Sequence, residues 1–519
     1  MSWKEHKKQS QATGTLTENQ YILGIDLGTT NSVMSFFNAE SKQPEPIDLS
    51  MGFGKIPLAS VVQYRPADDE WVIGDEAFRT QQLYPDSTVR SAKSLLGTGE
   101  TLTIAGETYP PEVISAKILS HLVSQIYNQN PNAELLGLVI AIPYDFGQAA
   151  KKATLRAVEL AGLSALLIDL IEEPKAAALT YNFSYDIAQG ENILVFDFGG
   201  GTLDITVFSV VDKTATTTYL KVVSEGGSLN HGGDNVDKAL FAHASQVYET
   251  KTGQPLATAS LENQLDLSQK IRESKERLSQ TKSHSLPFAF AMPPFMEKLT
   301  RETLERTLAP FIEKTQKLVA QTLQSCHTGS LAFDQIDRVL LEGGSAGMPW
   351  VKTMLADMFG NDKIYVSKTP ALDISMGATY HAAMQMGLLA QMDMQIPIEI
   401  NATMPHDIGV EVATIAGPTF KVILPKGTSY ALAKRSQIFR MSFDDDTDSQ
   451  LHFKILERQN KEDSITDCRH IGDVHINDIP SDIDKAKVKL TLGAYENTLI
   501  KGTVEITGGH IPFTKNFSL

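Results

Sequence analysis

The most informative pattern along the chain is a repeated one. Residues 21–33 (YILGIDLGTTNSV) and 193–207 (ILVFDFGGGTLDITV) each read as an apolar strand, an aspartate, a glycine-rich turn and a second strand. Two copies of one strand–turn–strand unit are what an internal duplication leaves. Asp197 follows Asp26 by 171 residues, room for each copy to seed its own α/β lobe with a cleft between the two. Apolar residues recur at helical spacing in 111–128, 148–161, 262–281 and 297–323. Strands alternating with helices predict mostly parallel or mixed sheets. Past about residue 395 short alternating runs take over, at 409–413, 420–424, 436–441, 451–456, 487–492 and 499–506, which predicts a compact β-rich domain. Between the two patterns lie residues 392–405 (MDMQIPIEINATMP), whose two prolines block helix propagation and mark a linker. The expected divisions are a polar tail at 1–20, an α/β domain at 21–391, the linker, and a β domain at 406–519.

Length supports more than one domain, because a chain of 519 residues exceeds the roughly 250–300 at which a single hydrophobic core stops growing. A formal net charge of −16 repels phosphate backbones and argues against general nucleic-acid binding. Cys326 and Cys468 stand alone without a CxxC partner, so no disulfide framework is expected, and a reducing, cytoplasmic setting follows. The twelve histidines show no ligand spacing in the sequence, and no transition-metal site is expected. No apolar run approaches the ~20 residues that span a bilayer, and no membrane partner is expected. Met384, Met386, Met392 and Met394 read as adaptable packing, and the run Asp444-Asp445-Asp446-Thr447-Asp448 as a solvated hairpin loop.

The candidate chemistry lies in the glycine turns. In Asp26-Leu27-Gly28-Thr29-Thr30-Asn31 the glycine lets the backbone approach a ligand, while successive N–H groups and the Thr and Asn side chains can bond phosphate oxygens. Asp197-Phe198-Gly199-Gly200-Gly201-Thr202 repeats the device in the second copy. Two such turns facing one another would grip a polyphosphate, with Asp26 and Asp197 holding hydrated Mg²⁺. A third turn, in residues 339–349 (VLLEGGSAGMP), reads strand, Gly343-Gly344-Ser345, helix start, and offers backbone amides to a nucleotide. Glu172-Glu173-Pro174 suits both a helix start and a catalytic carboxylate.

Taken in order, GIDLGTTNSV, IEEPKAAALTYN, VFDFGGGTLDITV, LNHGGDNVDKAL and LLEGGSAGMPWVK resemble the five nucleotide-cleft motifs of the DnaK-type heat-shock chaperone family, whose fold is similar to that of actin and the sugar kinases. The resemblance extends over residues 21–519. It implies an actin-like α/β ATPase domain followed by a β-sandwich peptide-binding domain. The implied activity is slow hydrolysis of ATP to ADP and phosphate, which regulates binding of extended hydrophobic segments of unfolded client polypeptides. A J-domain co-chaperone and a nucleotide-exchange factor are the implied partners. Carried over by motif, Lys93 resembles the lysine that contacts the γ-phosphate and attacking water, Glu173 the carboxylate that orients that water, and Thr202 the threonine beside the γ-phosphate. Asp26, Asp197 and Asp204 would organise the surroundings of Mg²⁺ and K⁺. Gly28, Thr29, Thr30, Asn31, Gly199, Gly200, Gly201, Gly232, Gly233, Asp234, Lys275, Ser279, Gly343, Gly344 and Ser345 would contact the nucleotide. Val410, Ala413, Phe439, Leu451 and Phe453 align with residues that line the family's peptide groove, the sandwich core being a nearly equal reading for Phe439 and Phe453.

The chain departs from this pattern at identifiable places. Gly347 stands where the family has an arginine stacked on adenine, and Arg272 where it usually has a glutamate. Loss of one such stack is worth ~0.5–2 kcal/mol. Ile398-Glu399-Ile400-Asn401-Ala402 replaces a leucine-rich linker strand, with Ile398 and Ile400 alternating as a buried strand face requires. Leu451 is larger than the residue usual at its place. The chain stops at Leu519 directly after the last strand, so no helical lid is expected and peptide release is expected to be fast. Two readings follow, an ATP-cycling chaperone and a nucleotide-sensing holdase whose two domains are weakly coupled. A sugar kinase is disfavoured, because the linker and β domain have no role in one.

Overall fold

The computed structural model describes residues 16–49, 56–184, 187–214, 218–228, 230–326, 329–367, 369–391, 398–401, 404, 406–414, 417–428, 433–440, 451–459, 461–476, 487–495, 499–507 and 513–518. Most of the polar tail, most of the 392–405 segment and the Asp-rich run 444–448 fall outside them. The chain divides into two compact units, one of residues 1–144 with 154–399, the other of 145–153 with 400–519.

The first unit is built on two six-stranded sheets with the same topology. In the first sheet the order is Leu167–Glu172, Glu134–Ile142, Gln20–Asp26, Asn31–Asn38, Gln43–Pro46, with Leu58–Ala59 paired to Asn31–Asn38. In the second it is Ile364–Val366, Arg338–Glu342, Asn192–Phe198, Leu203–Lys213, Thr218–Ser228, Ile398–Asn401. In each sheet the first three strands run parallel and the third to fifth antiparallel. The duplication expected from the repeated motif is therefore present as duplicated strand order. The central strands are buried on both faces, as Ile22, Leu23 and Ile25 in one and Leu194, Val195 and Phe196 in the other. Such strands read as continuous apolar runs because helices cover both sides.

The second unit holds two four-stranded antiparallel sheets. One is ordered Gly417–Leu424, Asp407–Thr414, Leu451–Arg458, Arg469–Ile476; the other Lys434–Arg440, Lys487–Tyr495, Leu499–Thr507, Phe513–Ser518. Ile408, Val410, Phe453, Ile455, Val474 and Ile476 from the first meet Val488, Leu490, Leu492, Val504 and Ile506 from the second in one core, which makes the unit a β-sandwich.

Three elements differ from the sequence expectation. The helix expected from residue 297 begins at Arg301, because 295–300 pair as a strand and the Thr300 hydroxyl accepts from the Thr303 N–H, capping the helix there. The glycine turn at 343–345 leads into a 3₁₀ turn, Gly344–Gly347, and the α-helix starts only at Pro349. Strand Arg469–Ile476 escaped the alternation test because a bulge opposite Ile455 and Leu456 shifts its parity. Among the described residues no helix is long and apolar enough to cross a membrane.

Candidate functional site

Each duplicated motif ends its central strand at the same edge of its sheet, and the two turns that follow meet tip to tip. A Cβ on Gly200 would stand 1.7 Å from the Thr30 hydroxyl, and one on Gly201 2.8 Å from the Thr29 methyl. Glycine is required there by the opposite turn itself, beyond any need to face a ligand. The second turn is braced by the segment entering helix Gly233–Thr252. The Asp234 N–H donates to Gly200 O at 2.7 Å, Gly233 N–H to Gly199 O at 3.0 Å, and His231 N–H to Gly201 O at 3.2 Å. This is what places Gly232, Gly233 and Asp234 behind the phosphate-type turn.

Between the turns lies a cavity of about 290 Å³. Its walls include Asp26, Gly28, Thr29, Thr30, Asn31, Lys93, Glu173, Asp197, Gly199, Gly200, Thr202, Asp234, Lys275, Ser279, Gly343, Gly344 and Ser345. Of the residues singled out in the sequence for nucleotide or metal, Gly201, Gly232, Gly233 and Asp204 are not on this wall. Gly201 lines a neighbouring cavity of about 580 Å³ instead. Asp204 is buried opposite Asp197 in strand register. Gly233 lies against Ser345, and its carbonyl accepts from Lys275 Nζ at 3.1 Å, while the same ammonium pairs with Asp237 at 2.8 Å.

The centre of the cavity is a buried ion pair. Lys93 Nζ donates to Glu173 Oε1 at 2.5 Å, and both side chains are almost wholly out of solvent. Lys93 sits in a 3₁₀ turn, Ala92–Leu95, entered through Ser91 in left-handed conformation (φ 59°), a strained start that aims the lysine inward. Glu173 is the first residue of helix Glu173–Ser184, where Pro174 lacks an N–H the first turn would not use. Burial opposes the charge on Lys93, but the Glu173, Asp26 and Asp204 carboxylates hold its pKa above the ordinary value. Burial pushes Asp26 up to about 7, with Lys93 pulling down and Glu173 pushing further up. Asp197 is raised well above a normal carboxylate by burial, then by Glu173 and Asp26. Four carboxyl groups, Glu173, Asp26, Asp197 and Asp204, around one ammonium are an arrangement that favours a further cation.

Several residues of the site carry no signal in the sequence. Pro370, Ala371 and Ile374 close one side of the cavity from a loop and the start of helix Asp373–Gln385. Glu342 is buried in register with Asp197, and its pKa is raised well above normal by burial, then by Asp373 and Asp197. On the opposite side a ring joins the two lobes. The Phe78 ring lies under two guanidiniums, Arg272 at 5.2 Å and Arg90 at 5.4 Å, and Gln82 Nε2 donates to Gln269 Oε1 at 3.3 Å beside them. Arg272, a departure in the sequence, is thus one side of a cross-lobe cation–π contact. Around Gly347 an added Cβ would meet nothing within 4 Å.

The residues assigned to a peptide groove are distributed differently. Val410 is wholly buried and Phe453 nearly so in the sandwich core, while Phe439 packs against that core with its ring 5.9 Å from that of Phe453. The side chains of Ala413 and Leu451 lie outside the described residues.

The model of the Hsp70 protein family matches residues 22–101 and 98–503. The chaperone protein DnaK of Ureaplasma parvum is 31% identical over 488 residues, which cover 92% of this chain and 75% of that protein. The chaperone protein DnaK of Metamycoplasma hominis is 31% identical over 455 residues, covering 86% and 71%. That of Thermosipho melanesiensis is 28% identical over 459 residues, covering 86% and 72%.

His231, which anchors the second turn, generates a pH prediction. Its ring stacks on Phe311 (centroids 3.8 Å, planes 9° apart) and its Nε2 lies 2.7 Å from the Thr315 hydroxyl. Burial first, and the nearby Lys314 charge second, bring its pKa from 6.5 down to about 4. The folded state thus holds the neutral ring, and the unfolded chain takes up the proton first as pH falls. The stabilisation is complete above about pH 6.5 and is lost as pH falls toward 4. Melting of His231→Gln compared with the unaltered protein from pH 7.5 to 5 should show a shallower acid decline in the variant; parallel declines would refute it.

Proposed function

The chain belongs to the Hsp70 protein family, and from that premise we propose that it is an ATP-hydrolysing chaperone. Residues 21–391 would be its ATPase domain, 392–405 its linker and 406–519 its peptide-binding sandwich. The observation that carries the reading is the buried Lys93–Glu173 pair set between opposed glycine turns. Phosphoryl transfer to water needs positioning and charge neutralisation more than covalent chemistry. In this reading Glu173 orients the water, whose oxygen bonds to the γ-phosphorus as the bond to the bridging oxygen breaks and ADP leaves. Lys93 and Thr202 meet the γ-phosphate oxygens, and the backbone amides of 28–31 and 199–202 bind the phosphate chain. Asp26 and Asp197 fit a hard, oxygen-ligated dication, because they are buried with surplus negative charge and offer only oxygen. Mg²⁺ bound there would neutralise phosphate charge, and Asp204 would share the surroundings of a K⁺. Lys275, Ser279 and Gly343–Ser345 would contact the nucleoside side.

In the sandwich the proposed ligand is an extended apolar segment of an unfolded client, held along the face where Phe439 remains accessible. Strand Ile398–Asn401 lies beside Thr218–Ser228 at the edge of the second ATPase sheet. That place supports an ATP-cycling chaperone over a holdase with uncoupled domains, since a strand added to a sheet edge is sensitive to the sheet it joins. A J-domain protein would stimulate hydrolysis and an exchange factor would release ADP.

Lys93→Ala should lower single-turnover ATP hydrolysis by roughly 10²-fold while ATP still binds, the scale of losing one positioned charge; unchanged turnover would remove Lys93 from the mechanism. A fluorescent apolar heptapeptide should leave the ATP-bound protein faster than the ADP-bound one, whereas equal rates would select the holdase. Gly347→Arg, at a position with open space for the side chain, should tighten ADP binding by about 2- to 30-fold in calorimetry. No gain would place the adenine elsewhere.

A further inference from the structure

Away from the nucleotide cleft, the sandwich gathers histidines that the sequence keeps apart. His452 and His475 are directly opposed across strands Leu451–Arg458 and Arg469–Ile476, and their rings stack with centroids 4.4 Å apart and planes 3° apart. Asp473, two residues before His475, points from the same face. Its Oδ1 lies 2.6 Å from His452 Nε2, and its Oδ2 lies 2.9 Å from His470 Nε2. One ligand atom from each of His452, Asp473 and His475 falls within 4.8 Å of the others, and all three residues are exposed. We propose that His452, Asp473 and His475 form a surface site for a zinc-class divalent cation, with His470 holding the second oxygen of Asp473.

The chemistry of the donor set selects the ion. Two imidazoles and one carboxylate suit Zn²⁺ and its first-row neighbours, whereas Mg²⁺ and Ca²⁺ take oxygen. Donors on one tetrahedral ion at about 2.1 Å stand about 3.4 Å apart, so closing the present triangle needs only side-chain rotation. The backbone beneath is fixed, because Phe453, Val474 and Ile476 on the other face of the same strands are buried in the sandwich core. At present Asp473 is bonded to two imidazoles; a metal would replace the proton it shares with His452. The His470 contact is the arrangement by which an outer residue orients a ligating carboxylate. Charged groups on this face among the described residues include Lys454, opposite Asp473 in register, Glu411, which pairs with Lys454 at 3.4 Å and offsets its charge, and Arg458, which lies over the Phe420 ring and pairs with Asp407. The proposal departs from the expectation, drawn from the sequence, that there is no transition-metal site. Linear spacing does not show a cross-strand pair.

The test is calorimetric titration of the full chain with Zn²⁺ at neutral pH, with and without excess Mg²⁺, in the unaltered protein and three variants. The proposal expects one zinc per chain that Mg²⁺ does not displace. It expects loss of that binding in His452→Ala/His475→Ala and about a 10-fold weakening in His470→Ala. Co²⁺ should show a visible absorption band that the double variant lacks. The single variant His475→Ala, altered only at the surface, should melt as the unaltered protein does without metal, so that lost binding cannot be assigned to misfolding. Absence of zinc uptake, displacement of the zinc by Mg²⁺, or equal uptake in the double variant would overturn the proposal.

Discussion

The constraint on which the cleft depends is its charge balance. Asp197 and Glu173 are buried and Asp26 is half-buried beside them, with the Lys93 ammonium among the three. Burying that much negative charge is expensive unless cations and hydrogen-bond donors meet it, which is why Asp26 and Asp197 have their pKa values raised. The lobes meet at two places: Gly200 and Gly201 seat against Thr30 and Thr29 at their tips, and Phe78 lies under Arg272 and Arg90 at the side. A cavity walled by glycine turns and carboxyl groups, with Lys93, Arg272 and Lys275 also on its wall, fits the nucleotide binding typical of the family.

The two departures from the family pattern have different surroundings. Arg272 turns its guanidinium over Phe78, into a contact between lobes, where it also meets Glu276 at 3.6 Å. The space around Gly347 is open. Lys275, on the same helix as Arg272, is tied to Asp237 and to the Gly233 carbonyl. Glu342 adds a further buried carboxyl in register with Asp197, and burial, Asp373 and Asp197 push it toward its neutral form.

In the sandwich, packing claims residues that the sequence pattern assigned to a groove. Val410 and Phe453 supply the core that makes the two sheets one unit, and a residue spent on the core is withdrawn from the surface. The outer face of one sheet, free of that duty, carries the His452, His470, Asp473 and His475 cluster. Its order derives from the buried alternation on the other side of the same strands.

The duplicated lobe, the order of the glycine turns and the helices Pro111–Gln129 and Leu261–Gln280 were all legible in the amino-acid sequence. They rest on local signals, namely period, turn chemistry and a motif repeated within one chain. Membership of Lys93 and Glu173 in one site was legible only through resemblance, since 80 residues separate them and neither has a local reason to be charged and buried. The start of the helix at Arg301 and the strand at Arg469–Ile476 were not legible, because a capping threonine and a bulge act through hydrogen bonds that pattern alone does not reveal. What tertiary structure alone decided is which distant side chains share a space: Phe78 beneath Arg272, Glu342 beside Asp373, His452 across from His475. Sequence periodicity specifies the face a residue occupies on its own element, whereas register and packing, set by the whole chain, specify what faces it.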